Sequence, residues 1–526
     1  MKDYLTTKFF IINITLLIFF LSVNQNVSGI ENPNIGSRAT SMGGNYRSIA
    51  NDWSAMYWNP AGLSFSEGLN TGLSMEYVIL RGDFTPGNSY YYNQNGGEEF
   101  QPFSATYTTT RDAEPLNFLV PSFGITYSPG GKWSYGMGVW VTMALGTKWD
   151  LLDTEGNSNG RGIYNATYPK YEYENNVQVI DLHPTVSYKI TDKLSVGMGV
   201  SILFGKVAIR RPAFLQNPYL YNIEELENLN ISLYDILLRR SDQSQTETLN
   251  QMRLSPYDHI INEVEMNGSG MTFGGNFGLM YKPNNKISIG ASIQINKALE
   301  VSGDYKQSIY FSDNAQFNTL AKYYYENYLS NYIDNFQLDE QYHDIISNLY
   351  SGDILSLVDT MAKTTVPLPL KAGMGISYSG IENLILSADV NFMNWSDWDA
   401  LVVKTDNDSS ISELILNWEN SVKIGIGAEY ATKIATLRAG YSFETHPPVD
   451  GTISPAIPEI GNRNNLDIGV AFNLFGGQLS FNYHKIFIAE HTVESWSYDP
   501  IGVALNMAGT YNINVQSLMI GYDIKF

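Results

Sequence analysis

One pentapeptide has the spacing of a catalytic serine motif, since Gly156-Asn157-Ser158-Asn159-Gly160 fits G-x-S-x-G. In hydrolases this motif needs a strand before the serine and a helix after it, because the sharp turn between them exposes the hydroxyl. The flanking residues here are polar and favour neither element. We therefore assign no nucleophile to this stretch.

Other residue types that support catalysis or metal binding are also dispersed. The chain has no cysteine, which excludes thiolate nucleophiles, disulfides and cysteine-ligated metals. Residues 405–410 (TDNDSS) lack the glycine and the distant glutamate of a calcium loop. No close metal-ligand pair occurs among the six histidines, which are His183, His259, His343, His446, His484 and His491. We therefore predict that the protein is not an enzyme and that it binds no cofactor or metal. The catalytic alternative is a hydrolase that uses Ser, His and Asp residues scattered along the sequence.

Composition narrows the class of partner. The formal net charge of −21, with a pI of about 4.7, argues against nucleic acid as a partner. Aromatic residues are abundant, with 36 Tyr, 24 Phe and 9 Trp. A chain of 526 residues would usually form several domains, but a single large barrel is a common exception.

The N-terminus has the parts of a secretory signal peptide. Lys2 and Lys8 precede an apolar run at 9–21, and small residues follow at 28–29. The apolar run is too short for a comfortable membrane span. We expect residues 1–29 to be a signal peptide; an N-terminal anchor helix is the alternative.

Apolar residues alternate with small or polar residues along much of the chain, with a period of two. The elements that show this alternation are the ones that must position any functional residue. In residues 194–204, Leu, Val, Met, Ile and Phe share one face, and Ser and Gly mostly occupy the other. Such alternation is typical of strands with one face in lipid. About fourteen segments fit it, near 69–80, 119–128, 133–143, 177–190, 193–209, 271–282, 286–296, 368–378, 384–393, 421–430, 434–443, 465–473, 478–487 and 516–526.

The connections between these segments alternate in length. Short turns such as 283–285 (PNN) and 431–433 (ATK) alternate with much longer connections. An outer-membrane barrel has short periplasmic turns and long external loops, whereas the connections of a sandwich or a propeller do not alternate in length in this way. The sequence therefore predicts an all-β fold, a transmembrane antiparallel barrel of about fourteen strands over residues 66–526, with both ends on the periplasmic side.

Two predicted external loops are large, near 210–270 and 297–367. Each carries a helical spacing of apolar residues, including Leu233 and Leu237 in the first loop. We expect the two helices to form an outer groove that collects apolar solutes; the alternative is that they pack each other as a loop core.

The final strand ends in an alternating row of apolar residues that includes Tyr522, Ile524 and Phe526. Such a row is the form of a barrel-closing strand with one face in lipid. It also resembles the signal read by outer-membrane assembly machinery, so we expect these residues to direct assembly.

An ordered set of segments resembles the FadL/TodX family of outer-membrane transporters for long-chain fatty acids and hydrocarbons. The set covers nearly the whole mature chain. It comprises residues 36–64 with Asn-Pro-Ala, 201–214 with a basic end, 367–378 with Leu-Pro, 386–399 with Trp-Ser, and 437–472 with Arg-x-Gly and a Pro-rich loop. The resemblance implies passive uptake of hydrophobic compounds.

The same resemblance implies that residues 30–65 fold inside the barrel as a hatch. A fourteen-strand barrel is too wide for its side chains to fill, so it would leak without a plug. Within the hatch, the resemblance singles out Asn59, Pro60 and Ala61 as its motif. An ordinary N-terminal loop without a gating role is the alternative.

A transported fatty acid would need a cation for its carboxylate in an apolar lumen. Arg211 is the leading candidate, because counting by twos puts it on the lumen face. Lys206, Lys404 and Arg438 are further candidates. Lys206 has the opposite phase and also suits lipopolysaccharide phosphates, and Arg438 equally fits an ion pair with an inward Asp389, Glu429 or Asp467.

The resemblance also suggests a kink in the third strand as a lateral gate into the bilayer. Gly136 and Gly138 lie two apart there, which indicates a bulge or kink next to the hatch motif. The alternative is that they only make room for the hatch. Two other transport functions stay open: a hatch-bearing barrel that serves protein secretion, and an open porin.

Overall fold

The structure, a computed structural model, describes residues 34–86, 91–92, 99–100, 110–150, 173–216, 246, 259–310, 355–405, 409–455, 460–495, 497 and 505–526. Three predictions fall outside the described residues. They are the signal peptide at 1–29, the G-x-S-x-G stretch at 156–160, and the outer groove at Leu233 and Leu237.

Fourteen strands build the wall. Ten of them are continuous: β1 (Gly68–Pro86), β2 (Leu116–Ser128), β3 (Trp133–Trp149), β4 (Tyr173–Thr191), β5 (Leu194–Gln216), β6 (His259–Tyr281), β11 (Ala435–Glu444), β12 (Arg463–Leu474), β13 (Gly477–Ile488) and β14 (Gly509–Lys525). Four consist of two segments each: β7 (Ile287–Asn296 and Leu299–Tyr310), β8 (Leu355–Val366 and Lys371–Ile381), β9 (Leu384–Met393 and Ala400–Thr405) and β10 (Ser410–Ile415 and Ser421–Ala431).

The remaining described elements are short. Four two- or three-residue strands cover Tyr91–Tyr92, Glu99–Phe100, Arg111–Asp112 and His491–Val493. Helices α1 (Ser37–Thr40) and α2 (Ala55–Trp58) precede the barrel, and 3-10 turns cover Pro60–Phe65, Trp395–Asp397 and Asp450–Thr452. No helix among the described residues is long and apolar enough to cross a membrane.

The sheet closes on itself. Neighbouring strands are antiparallel, and β1 pairs with β14 from Asn70↔Lys525 to Pro86↔Gly509. The closed fourteen-strand antiparallel barrel predicted from the sequence is therefore confirmed. All fourteen predicted segments overlap observed strands, since the period of two follows directly from side chains pointing to alternate faces.

The outer face of the barrel is apolar and the inner face is small or polar. Large hydrophobic side chains point outward and are exposed, among them Phe204, Phe273, Phe277, Ile376, Ile426, Leu518 and Ile520. Buried serines such as Ser195 and Ser201 lie between them on the inner face. A band of exposed apolar side chains around a closed barrel is the surface that lipid covers.

The external loops are shorter than the sequence predicted. Strands β5 and β6 have 23 residues each and pair without a break from Leu194↔Tyr281 to Gln216↔His259. Crossing a bilayer takes only about 9–11 strand residues, so much of this hairpin extends beyond the membrane on the side opposite the short turns. The extension escaped sequence analysis because its outward positions are polar, including Glu263 and Glu265.

The closing strand presents the predicted apolar row to the outside. Leu518 and Ile520 are exposed on its outer face, and Tyr522, Ile524 and Phe526 continue the same phase. The Phe526 amide donates to Leu69 O at 2.8 Å, which seals the first strand to the last.

We predict that Phe526→Ala lowers the outer-membrane level of the protein several-fold without changing export to the periplasm. The reason is that the aromatic end of the closing strand is what the assembly machinery is expected to bind. Fractionation and immunoblotting across a range of expression levels measure this, with Phe475→Ala, an exposed turn residue, as control. Unchanged outer-membrane levels would show that Phe526 has no part in assembly.

Candidate ligand path and hatch

The described segment from Asn34 to Phe65, called the hatch below, lies inside the barrel at the end with short turns. Strand side chains donate to its carbonyls from opposite sides of the lumen: Asn276 Nδ2 to Met56 O, Ser387 Oγ to Asn45 O, and Asn482 Nδ2 to Ser37 O, each at 2.7 Å. The hatch also has its own apolar core, formed by Ile35, Met42, Tyr46, Trp53, Met56, Trp58 and Leu63. These contacts hold the segment inside the barrel from several sides of the lumen.

The Asn-Pro-Ala motif begins the last hatch helix. Asn59 accepts through its side chain from the Ala61 amide at 3.2 Å, and Pro60 suits a first helical position because it needs no amide partner there. Asn59 Nδ2 also donates to Leu279 O, and Ser195 Oγ donates to Ala61 O at 2.8 Å. These bonds hold the motif against β5 and β6, and the turn Pro60–Phe65 that it begins also contacts β3.

Arg438 forms a structural ion pair. Its Nε donates to Glu429 Oε2 at 2.7 Å, and its Nη2 donates to Gln478 at 2.8 Å. Arg38 of the hatch donates to both carboxylate oxygens of the same Glu429. The two guanidiniums thus share one buried carboxylate that ties the hatch to the wall, and Arg438 is occupied by it.

The two glycines of β3 make room for large side chains inside the lumen. A Cβ atom on Gly136 would lie 2.5 Å from Met56 Sδ, and one on Gly138 would lie 2.2 Å from the Trp140 ring. The irregularity in β3 occurs higher up, where the register with β4 shifts between Val141 and Met143. The bulge therefore lies at Thr142, which no sequence signal had indicated.

Above the glycines, the seam between β2 and β3 is unpaired. The described ladder ends at Ser122↔Trp140, although both strands continue past that level. Backbone hydrogen bonding resumes at the outer end, where the Glu114 amide donates to Lys148 O at 2.9 Å. Pro121 offers no amide donor and the β3 bulge breaks the register, so neither strand edge matches the other. This leaves an unpaired stretch in the wall, called the window below.

A mostly apolar cavity adjoins this window on the lumen side. Its volume is about 50 Å³, and its walls include Asn34, Ile35, Glu76, Val78, Phe118, Val120, Val141, Thr142, Met143, Ile486 and Val515. The hatch closes one side of it, because Asn34 Nδ2 donates to Glu76 Oε1 at 2.5 Å. A cavity that holds benzene measures about 150 Å³, so this cavity is smaller than such a ligand requires.

Arg211 lies far above the hatch, in the external extension of β5. It is half-buried, and Tyr173 and Tyr305 lie beside it. Its Nη2 donates to the backbone carbonyl of Glu413 at 2.8 Å, and it forms no ion pair with any described residue. A guanidinium withdrawn from water without a carboxylate is an incomplete site for an anion.

The two lysine candidates point away from the lumen. Lys206 is exposed on the outer face of β5, between the inward Gly205 and Val207. Lys404 is exposed as well, whereas its neighbours Leu401 and Val403 pack into the apolar interior. Neither lysine can reach a ligand inside the barrel without a change of strand register.

An aspartate, a histidine and a serine meet in the lumen without forming a catalytic triad. Asp181 Oδ2 and Ser201 Oγ both contact His183 Nδ1, at 3.1 and 3.0 Å, while Asn276 faces Nε2. A triad needs the serine and the carboxylate on different ring nitrogens. All three side chains are fully buried. No cluster of metal-ligating side chains occurs among the residues that the structure describes.

Sequence analysis missed the apolar layer above the hatch. Trp398 stacks on Trp418 with ring centroids 4.8 Å apart, and Trp395 meets both edge-on. These rings join Phe84, Trp149, Tyr173, Leu203, Leu299, Val301 and Tyr305 in one buried cluster. The residues of this layer lie where strands are interrupted and in the external extensions of strands. The alternation that identifies lipid-facing strands does not identify residues that point inward there.

A closed barrel with an apolar exterior, an internal hatch and a buried apolar layer above it is the architecture of outer-membrane transport channels. The match to a family model agrees, since "Outer membrane protein transport protein (OMPP1/FadL/TodX)" matches residues 28–522. The chain belongs to this family, and the outer-membrane location follows from the family and the fold. The family consists of transport channels and not of enzymes. No curated protein matches the sequence.

Solved structures share the fold at low sequence identity. A Pseudomonas aeruginosa FadL homologue is 16% identical, with a TM-score of 0.67 over 95% of this chain and 100% of that chain. The P. putida toluene transporter TodX is 15% identical, with a TM-score of 0.60 over 95% and 99%. The Ralstonia pickettii toluene transporter TbuX is 15% identical, with a TM-score of 0.55 over 95% and 99%.

Proposed function

We propose that this protein takes up long-chain fatty acids or similar hydrophobic compounds by passive diffusion and releases them sideways into the bilayer. The observation that carries the proposal is the unpaired seam between β2 and β3 directly beside an apolar cavity. An apolar molecule gains about 25 cal/mol per Å² of surface by staying out of water. Release through the wall keeps it out of the periplasm.

The path begins at the outer mouth. Arg211 offers a charged donor for a carboxylate, and the layer around Trp398 and Trp418 accepts an apolar tail. The path ends at the cavity beside Thr142, where Asn34 and Ile35 must move for a ligand to fit. This movement would break the hydrogen bonds from Asn34 to Glu76 and from Trp58 Nε1 to Ile35 O, a small cost relative to burial of a long apolar chain.

A monoaromatic hydrocarbon is the second candidate ligand. Two of the similar solved structures are toluene transporters, and a third is a monoaromatic hydrocarbon channel. Such a ligand carries no charge, so it would have no use for Arg211. The half-buried guanidinium without a carboxylate partner favours the fatty acid.

Uptake measurements test the proposal. Cells with and without the gene receive either a radiolabelled long-chain fatty acid or radiolabelled toluene, and we expect gene-dependent accumulation of the fatty acid. Accumulation of toluene alone would assign the second ligand. Gene-dependent entry of a hydrophilic sugar would indicate an open porin, and loss of an exported protein without any change in uptake would indicate the secretion role.

A further inference from the structure

Five lysines lie together on one side of the periplasmic rim: Lys132, Lys189, Lys193, Lys282 and Lys286, called the basic rim below. They occupy the ends and turns of β3 to β7. Backbone bonds place them next to one another, since the Lys189 amide donates to Lys132 O at 2.8 Å and the Lys282 amide donates to Lys193 O at 2.7 Å. The basic rim is therefore continuous across neighbouring strands.

Two of the lysines converge on the end of the hatch. Lys282 Nζ lies 3.9 Å from the centroid of the Phe65 ring, and Lys189 Nζ lies 5.7 Å from it. Contact with the ring face holds each ammonium in place. It also holds the two charges close together, and burial together with Lys189 lowers the pKa of Lys282.

The charge of the basic rim is not neutralised within the described part of the chain. None of its five lysines forms an ion pair there. Asp192 is the one acidic residue in its three turns. Elsewhere on this rim the charges are mixed, as in the pair Lys525–Glu67 at 3.7 Å. In a chain with a net charge of −21, this is a local reversal of sign.

We propose that the basic rim, with Phe65 at its centre, is the docking surface for an acidic segment of a periplasmic protein. Charge complementarity selects an acidic partner and raises its rate of association. Lipid headgroups fit less well, because Lys189 and Lys282 turn inward onto Phe65 at the barrel mouth and away from the bilayer. The exposed Lys193 and Lys286 extend the surface sideways along the mouth.

Fluorescence anisotropy with a labelled oligoglutamate peptide tests this on the purified full chain in nanodiscs of uncharged lipid. We expect the peptide to bind at low salt and to dissociate as salt rises, because salt screens exposed charges. The double variant Lys189→Gln/Lys282→Gln should bind about tenfold more weakly. The control Lys433→Gln/Lys525→Gln removes the same charge from other parts of the rim and should bind as wild type does.

Three outcomes would overturn the proposal. The first is no binding of the peptide to the wild-type protein. The second is an equal loss of peptide affinity in both double variants, which would show that binding depends only on the net charge of the protein. The third is peptide binding that is unchanged in Lys189→Gln/Lys282→Gln while binding of anionic-lipid vesicles falls, which would assign the basic rim to headgroups. Heat-modifiable migration on gels confirms that each variant is a folded barrel.

Discussion

Crosslinking β2 to β3 across their unpaired seam is expected to abolish uptake of hydrophobic compounds while the barrel stays folded. The chain has no native cysteine, so Val120→Cys and Thr142→Cys provide the only thiols. These positions follow Ser122↔Trp140, the last paired positions of the seam, and both line the cavity. A short thiol-specific crosslinker would close the window that we propose as the exit.

The matched control places the same crosslinker in the same cavity across a closed seam. Val78 and Phe118 are paired neighbours in β1 and β2 and also line the cavity. Cysteines there should reduce uptake far less, because no window is bridged. Cell uptake of a labelled fatty acid, before and after reduction of a cleavable crosslinker, measures the effect. If uptake continues after the β2–β3 crosslink while ligand binding is intact, the ligand does not leave through the wall, and passage past the hatch would be the exit.

Removal of the Arg211 charge is expected to weaken binding of a long-chain fatty acid about 10- to 100-fold. A hydrogen bond to a charged group contributes about 1.5–3 kcal/mol, which corresponds to this range. Arg211 forms no ion pair with any described residue, so its replacement by alanine leaves no carboxylate stranded. Titration of the purified protein with a fluorescent fatty acid measures the change for Arg211→Ala.

Two controls separate charge recognition from general damage. Lys404→Ala removes an exposed, outward cation from the same end of the barrel and should bind the fatty acid as wild type does. A long-chain alcohol with the same tail should bind equally to wild type and to Arg211→Ala, since it has no carboxylate. Equal affinity of Arg211→Ala and wild type for the fatty acid would remove Arg211 from the ligand path.

The sequence by itself determined the barrel and the orientation of its lipid-facing strands. Alternation with a period of two is a local property, because each residue points to the face opposite its neighbour. The outward row of Leu518 and Ile520 and the inward Ser195 and Ser201 could therefore be read directly. The same counting placed Arg211 on the inner face and, with the resemblance, placed a compact segment before the first strand.

Only the tertiary structure decided which inward residues meet and where the wall opens. Arg438 could pair with any of three carboxylates by phase, and the register between β10 and β11 sets it directly opposite Glu429, which Arg38 of the hatch also binds. Gly136 and Gly138 have the form of a kink, yet the space above them is filled by Met56 and Trp140. The window arises higher, at Thr142. Pairing requires the backbone groups of two neighbouring strands to match, and the sequence of one strand does not show whether they do.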